Sequence, residues 1–185
     1  MKRTVFAIVV AFLLGLPASA GARGYFMAGG GYGGQAEAGN MRVEAGGYFT
    51  DRNINFLFGM GVPFTINRGD SIPSHTDDRP SPTPNYTSLG TKKKGEEAGL
   101  YGKVGVEPIR NSGVYLFGLG GVTWGEDIEL VRSNVTGWYY TQSRTTQSHG
   151  LVGGGVGYYP KTGRICAALS YDNRMGVTAT FGFSW

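Results

Sequence analysis

Strict alternation of apolar and polar residues at the carboxyl-terminal end most constrains what this chain can fold into. From Met175 to Trp185 every odd position is apolar, and every even position is Gly, Thr or Ser. Successive side chains of a β-strand point to opposite faces, whereas an α-helix repeats every 3.6 residues. These residues therefore predict a strand with one apolar face and a terminal aromatic ring.

Seven further segments have strand character. Four of them alternate in the same way, and three are rich in Gly and aromatic residues: 41–50, 54–64, 97–107 and 164–172, then 24–32, 114–124 and 147–159. The 33 glycines among 185 residues follow no Gly-X-Y period, and 41% of the residues are hydrophobic, which excludes collagen and a disordered chain. The sequence predicts an all-β protein of eight strands.

The first twenty residues have the features of a secretory signal peptide. Lys2 and Arg3 precede an uncharged apolar run at 5–16, and Ala18 and Ala20 supply a small-x-small cleavage pattern. The run is shorter than the roughly 20 residues that a membrane-spanning helix requires. We expect residues 1–20 to be cleaved and residues 21–185 to form one barrel domain. Without Lys2 and Arg3 the formal charge falls from +4 to +2, too little to indicate nucleic-acid binding.

Short and long connections alternate between the predicted strands. Short turns are predicted at 50–53, 108–113 and 160–163, and they interleave with connections at 34–40, 67–94, 125–144 and 172–174. Outer-membrane barrels of bacteria have short periplasmic turns and longer outer loops. We therefore expect an up-and-down order with both termini and the short turns on the periplasmic side.

Alternation by itself fits two architectures. In a soluble sandwich the apolar face points to a core, whereas in a membrane barrel it points to lipid and the polar face points inward. A spanning sheet must close on itself, because unpaired backbone amides are costly in hydrocarbon. The terminal aromatic, the aromatic residues near strand ends and the order of the connections favour the eight-stranded antiparallel transmembrane β-barrel.

The signal peptide, the eight alternating segments and the pattern Val177-x-Ala179-x-Phe181-x-Phe183-x-Trp185 resemble the small OmpA/OmpX-like outer-membrane barrels of Gram-negative bacteria. The resemblance covers essentially the whole mature chain and is one of architecture. It implies that the barrel-assembly machinery reads the final strand as an assembly signal. Phe is the commoner last residue in that family, and Trp185 is a variant of it.

Charged residues are predicted to form a network in the lumen. The inward faces carry three cations and four carboxylates: Arg42, Lys103 and Arg164, with Glu44, Glu97, Glu107 and Asp172. Eight strands enclose a lumen that side chains just fill, and buried opposite charges are expected to pair. The sequence favours a plugged interior, and a narrow ion-conducting pore remains the alternative.

Catalysis has little support in the sequence. Some eight-stranded barrels modify lipid A with a His, a Ser and a carboxylate, and His75 and His149 are the two histidines of this chain. His149 is not followed by the His-x-Ser pattern of the deacylases, and nothing supplies an oriented nucleophile and base. We expect no enzyme activity, no metal and no cofactor, with a lipid A-modifying enzyme as the alternative.

The segment 67–94 is predicted to be an extended surface loop, because it is rich in Pro and Ser and lacks apolar periodicity. It ends in Lys92, Lys93 and Lys94, where the next strand enters the membrane. This cluster either contacts lipopolysaccharide phosphates or is simply solvated. The sequence as a whole predicts a monomeric outer-membrane protein of a Gram-negative bacterium with a structural or surface-interaction role. Its expected partners are outer-membrane lipid, lipopolysaccharide and the barrel-assembly machinery.

Overall fold

The computed structural model describes residues 22–50, 53–66, 73–76 and 85–185. Within these ranges eight long strands follow one another, and one 3₁₀ turn lies at Gly34–Ala36. The strands are β1 Ala22–Gly33, β2 Ala38–Phe49, β3 Phe56–Ile66, β4 Tyr86–Val106, β5 Val114–Ser133, β6 Tyr139–Tyr158, β7 Ile165–Asp172 and β8 Gly176–Ser184. The predicted all-β, eight-stranded fold is confirmed. The predicted signal peptide, residues 1–20, lies outside the described residues.

The eight strands close into a ring. Each pairs antiparallel with its neighbours in the chain, and β1 pairs with β8 from Tyr25–Ser184 to Tyr32–Val177. Closure matters because every strand of the ring then has hydrogen-bonding partners on both sides. The predicted antiparallel up-and-down barrel is confirmed. No helix among the described residues is long and apolar enough to cross a membrane.

The strands are tilted against the barrel axis. Following paired residues once around the ring from Tyr32, through Val177, Gly154 and Val104, returns to β1 at Gly24. The register has then advanced by eight residues, from 32 to 24. A stagger of this kind is the geometric condition for closing a sheet, and it corresponds to a tilt of roughly 35–45°.

Apolar side chains cover the outside of the barrel, and charges lie within it. Val104, Val152 and Phe181 point outward and are 69%, 68% and 64% exposed. The interior contains buried aromatic and aliphatic side chains beside buried ions: Tyr25, Met27, Tyr48, Leu57, Tyr101, Phe117, Leu119, Leu151 and Tyr159, with Arg42, Glu44, Glu97, Lys103 and Asp172. A soluble sandwich has the opposite arrangement. Apolar side chains on the outside and charged side chains on the inside are the arrangement that a bilayer requires.

Two links contact each other at the end of the barrel opposite Trp185, which we call the outer end. The β1–β2 link donates backbone hydrogen bonds from Gln35 and Ala36 to the carbonyls of Asn173 and Arg174 in the β7–β8 link, at 2.9 and 3.0 Å. Gly34 has φ of 64°, and a Cβ there would lie 2.5 Å from the Arg174 carbonyl oxygen. Only glycine fits this position without displacement of the neighbouring backbone. The β1–β2 and β7–β8 links are therefore held against each other along one side of the outer opening.

The other side of the opening differs from the prediction. Residues 86–94 and most of 125–144, predicted as loops, belong to β4, β5 and β6, which have 21, 20 and 20 residues and extend beyond the shorter strands. We call this extension, 86–93 with 127–133 and 139–146, the outer sheet. Residues 142–148 of β6 are exposed on both faces, which hides the strand period there, although Thr and Tyr favour strands. His75–Thr76 pairs parallel with Tyr139 and Tyr140 at its edge.

Candidate functional site

The middle of the lumen is occupied by a buried ion pair. Lys103 from β4 pairs with Glu44 from β2, and its Nζ also donates to the Tyr159 hydroxyl at 2.8 Å. The Tyr101 hydroxyl donates to Glu44 Oε2 at 2.5 Å. The Lys103 Nζ lies 4.6 Å from the Phe117 ring centroid, a cation–π distance. The strand period accounts for this cluster, because residues 44, 101 and 103 all occupy inward positions.

A second ion pair lies nearer the outer end. Arg42 Nη2 donates to Asp172 Oδ2 at 2.5 Å, and Nη1 donates to Ser170 Oγ at 2.9 Å. The other oxygen of Asp172 accepts the backbone N–H groups of Arg174 and Met175 at 3.0 and 2.6 Å. Asp172 therefore joins the strand β2 to the β7–β8 link. Buried charges of this kind need such additional hydrogen bonds to offset their desolvation.

A third pair closes the outer end of the lumen and includes a residue that the sequence analysis missed. Arg174 Nε and Nη2 donate to Glu97 Oε1 and Oε2 at 2.5 and 2.7 Å, and Thr123 Oγ1 donates to Glu97 at 2.5 Å. Arg174 precedes β8 by two residues and shares the inward parity of Gly176 and Thr178. The even-numbered residues of β8 point inward, and continuing that row back from Gly176 by two positions would have identified Arg174.

Arg164, predicted as the third lumen cation, does not lie in this network. It has the inward parity of Cys166 but stands one residue before β7 begins, and its side chain is exposed. Alternation orients a side chain only while the strand continues into the barrel. Beyond the end of β7 the same side-chain direction leads into solvent, so the prediction that Arg164 belongs to the lumen network is wrong.

Glu107 lies at the opposite end of the lumen. Its carboxylate accepts hydrogen bonds from Asn55 Nδ2 at 2.5 Å and from the Gly113 backbone N–H at 2.6 Å. It therefore fastens the β4–β5 link to the residue before β3. Among the hydrogen bonds of the described residues, this carboxylate is held by neutral donors, unlike the other lumen carboxylates.

Packed tyrosines fill the lumen between these polar groups. The Tyr159 ring centroid lies 5.0, 5.5 and 5.6 Å from those of Tyr25, Tyr48 and Tyr115. The Tyr48 hydroxyl donates to the Pro160 carbonyl at 2.9 Å, and the Tyr115 hydroxyl donates to the Phe49 carbonyl at 2.8 Å. Such edge and tilted contacts are the favourable geometries for aromatic pairs. The layer separates the Lys103–Glu44 pair from the Glu107 end.

The side chains of β8 point to the faces of the barrel that the sequence predicts. Its alternate side chains point outward, and Thr178, Thr180 and Ser184 are buried inside; the outward row is Val177, Ala179, Phe181, Phe183 and Trp185. Trp185 and Gly24 exchange two backbone hydrogen bonds of 3.1 Å, so the pairing continues to the last residue. The Phe183 and Trp185 rings are 5.9 Å apart and form an aromatic edge.

The lysine cluster lies in a strand rather than in a loop. Lys92 and Lys93 pair with Ile128 and Asp127 across the outer sheet, and the Lys93 side chain is exposed. The backbone of Lys94 is also part of β4, and its side chain lies outside the described residues. Asp127 stands three residues beyond Trp124, which is about 10 Å along the strand.

Large apolar side chains are exposed at the far tip of the outer sheet. Val135 and Trp138 are 73% and 65% exposed in the hairpin that joins β5 to β6. The Tyr86 and Tyr140 rings support this hairpin from adjoining strands, with centroids 5.9 Å apart. The two histidines do not lie together: His149 of β6 pairs with Thr123 of β5, whereas His75 pairs with Tyr139 at the edge of the outer sheet, and its Nδ1 is 3.0 Å from the Pro73 carbonyl oxygen. Among the described residues no three His, Cys, Asp or Glu side chains group to hold a metal.

Comparison with known proteins yields little at the level of sequence. No protein-family model and no curated protein matches the chain. One solved structure that it resembles is Ail, the attachment invasion locus protein of Yersinia pestis, in complex with the heparin analogue sucrose octasulfate. The match covers 90% of this chain and 100% of that chain at 12% identity, with a TM-score of 0.49. By its own closed ring of eight antiparallel strands, this chain has the architecture of the OmpA/OmpX-like barrels.

Proposed function

We propose that the protein is an integral barrel of the outer membrane of a Gram-negative bacterium, with a plugged lumen, and that it acts by surface interaction. The observation that supports this most strongly is the combination of a closed ring, an apolar outer surface and ionic side chains inside. Placed in water, that outer surface would be a large exposed apolar area, which soluble monomers avoid. In a bilayer the same surface needs no cover.

Three stacked layers support a plugged lumen. The Arg174–Glu97 pair lies at the outer end, the Lys103–Glu44 pair at the centre and the tyrosine layer below it. An ion that crosses would have to displace buried pairs, which is costly in the low dielectric of the interior. A pore that conducts is the alternative. Planar-bilayer recordings of purified protein test it, and steady single-channel steps at neutral pH would contradict the plug.

The outer sheet supports the surface-interaction role. It carries exposed Val135 and Trp138 well beyond the barrel, where burial against lipid does not explain them. Trp is among the residues that contribute most to protein interfaces. Replacement of both by Ser, with barrel folding checked by heat-modified gel mobility, should reduce binding of expressing cells to a partner surface. The conservative control Val135→Thr should keep it.

The lysine cluster supports contact with lipopolysaccharide. Lys93 pairs with Asp127, about 10 Å beyond Trp124, whose amphipathic ring suits the membrane interface, and Lys92 and Lys94 are its neighbours in the chain. Cations at that height meet headgroup phosphates, each worth about 1 kcal/mol near an anionic surface. A solvated strand is the alternative. Lys92→Gln with Lys93→Gln should reduce the lipopolysaccharide that co-purifies with the barrel, and unchanged co-purification would favour solvation.

Assembly by the barrel-assembly machinery as a monomer is also part of the proposal. Trp185 ends the outward row of β8 and pairs with Gly24, so its loss removes a terminal aromatic without opening the lumen. Deletion of Trp185 should lower the amount assembled in cells and leave the assembled barrels folded. Mass measurement of the detergent-solubilised barrel tests the monomer.

We propose no catalytic role. His149 lies in β6 opposite Thr123, and the carboxylates nearest the outer opening, Glu97 and Asp172, are engaged with arginines. A lipid A-modifying enzyme is the alternative. Mass analysis of lipid A from cells with and without the protein separates the two, and a lost or added acyl chain would overturn this part of the proposal.

A further inference from the structure

Basic side chains gather at the end of the barrel that carries Trp185. Arg23 is the second residue of β1, Arg110 lies in the β4–β5 link, and Lys161 and Arg164 lie in the β6–β7 link. We call these four residues the basic rim. Arg110, Lys161 and Arg164 are exposed, and Arg23 is half-buried.

The fold holds part of the basic rim together. The Arg23 guanidinium donates to the backbone carbonyls of Lys161 and Gly163 at 2.6 and 2.7 Å. The Ser184 N–H donates to the Arg164 carbonyl at 2.8 Å, which fixes Arg164 beside the last strand. The partners of the Arg23 guanidinium are neutral carbonyls, so its full positive charge is retained. Three cations therefore cluster around one link.

Acidic side chains are scarce at this end. Within the described ranges, the strand ends and links of the basic rim contain one, Glu107, which is buried and points into the lumen. The α-carboxylate of Trp185 is the other anion there. In the outer sheet, by contrast, cations stand beside acids, as in the Arg144–Glu126 pair at 3.8 Å and the Lys93–Asp127 register. Among the described residues, the cations of the basic rim therefore have fewer acidic neighbours than the cations of the outer sheet.

Exposed apolar side chains border the cations. Ile165 and Ile109 each neighbour an arginine of the basic rim and are 75% and 71% exposed, and Trp185 is 53% exposed beside them. Ile165 pairs with Phe183, so it stands on the apolar outer surface directly beside Arg164. A cation above an apolar edge fits an amphipathic ligand with an anionic headgroup and hydrocarbon chains.

We infer that the basic rim binds anionic phospholipid headgroups in the leaflet next to the short turns. The lipid phosphate lies against Arg164, Arg110 adds positive charge from the β4–β5 link at the same end, and the acyl chains follow the outward row at Ile165 and Phe183. This inference rests on the proposed membrane location. It adds to that proposal a selectivity for charge, since a neutral headgroup would gain nothing from the cations.

Native mass spectrometry of the full mature protein in detergent tests the inference. The protein is titrated with phosphatidylglycerol or with phosphatidylethanolamine, and bound lipid is counted. Each cation near an anionic surface is worth about fivefold in affinity, so Arg110→Gln with Arg164→Gln should weaken phosphatidylglycerol binding about 25-fold. The control Arg132→Gln with Arg144→Gln removes equal charge from the outer sheet and should leave binding unchanged.

The outcomes separate the inference from the proposal beneath it. Heat-modified gel mobility first shows whether each variant inserts into bilayers as a folded barrel, and a wild-type protein that fails to insert refutes the membrane location itself. A folded, inserted wild type that binds both lipids equally overturns the inference alone. Displacement of the lipid by an equal concentration of glycerol phosphate also overturns it, because the site would then recognise a free anion.

Discussion

The Arg174 guanidinium forms a bidentate ion pair with the Glu97 carboxylate, with Nε–Oε1 and Nη2–Oε2 distances of 2.5 and 2.7 Å. The two residues are 77 positions apart in sequence. Arg174 belongs to the β7–β8 link and Glu97 to β4, so the pair spans the outer end of the lumen between opposite walls. Both side chains are buried, and the pair joins the β7–β8 link on one side to the wall strand β4 on the other.

Arg174→Met should weaken the barrel. It removes both guanidinium hydrogen bonds from the buried Glu97 carboxylate, and removal of one partner of a buried pair costs about 3–5 kcal/mol. The temperature at which gel mobility changes to that of the unfolded chain measures this loss. Arg164→Met is the matched control, because the exposed Arg164 side chain lies outside the network. Equal shifts for the two variants would contradict the assignment of Arg174.

Lys103→Met should also destabilise the barrel, for a reason that differs from the outer pair. Lys103 contacts Glu44, Tyr159 and the Phe117 ring at the centre of the lumen, so its loss leaves Glu44 with the Tyr101 hydroxyl as its remaining side-chain donor. Exposed Lys93→Met is the control, since exposed pairs contribute about 0–1 kcal/mol. Urea titrations in lipid vesicles provide the measurement. A Lys103→Met barrel as stable as the Lys93→Met barrel would exclude the central ion pair as a stabilising element.

The orientation of β8 predicts a large loss of stability for Phe181→Arg and a small one for Thr180→Val. Phe181 is 64% exposed on the outer surface, whereas Thr180 is 3% exposed inside. Phe181→Arg places a charge toward lipid and should cost roughly 2–4 kcal/mol if the position is at the bilayer midplane. Thr180→Val, which keeps the shape of the inward side chain, should cost much less. If Phe181→Arg assembles as well as wild type while Thr180→Arg fails, the strand faces the other way.

Labelling of intact cells tests the orientation of the barrel. Val135→Cys places a thiol at the tip of the outer sheet, and Thr162→Cys places one in the β6–β7 link at the opposite end. A membrane-impermeant maleimide should label Val135→Cys on intact cells and Thr162→Cys only after the outer membrane is opened. Wild-type Cys166 is buried and serves as the background. The reverse order of labelling would invert the topology.

The alternation in the sequence was sufficient to predict the strands that lie in the barrel wall. Each wall position has one apolar and one enclosed side, so the period of two is visible, as at Phe181 and Thr180. The β6 part of the outer sheet could not be predicted in this way, whereas Ile128 and Leu130 of β5 alternate with Asp127 and Glu129 and are buried. Both faces of residues 142–148 contact solvent, and a strand without a buried face has no hydrophobic period to detect.

The lumen network was predictable in kind but incomplete in its members. Arg42, Glu44 and Lys103 lie inside long strands and Asp172 is the last residue of β7, so parity determines the direction of each side chain. Arg164 and Arg174 lie just outside strands, where the link conformation decides. Arg174 turns inward because Asp172 accepts its backbone N–H at 3.0 Å and Glu97 accepts its guanidinium; the second contact joins residues 77 positions apart, which one sequence does not display.

Spin labels at Val104 and Val152 test most directly whether the apolar outer surface faces lipid. The two residues lie on β4 and β6 and are 69% and 68% exposed. For the protein reconstituted in vesicles, collision with molecular oxygen should be high at both sites, and collision with a water-soluble nickel chelate should be low. A label at Val135 in the outer sheet should show the reverse. Strong nickel accessibility at Val104 and Val152 would contradict the membrane barrel.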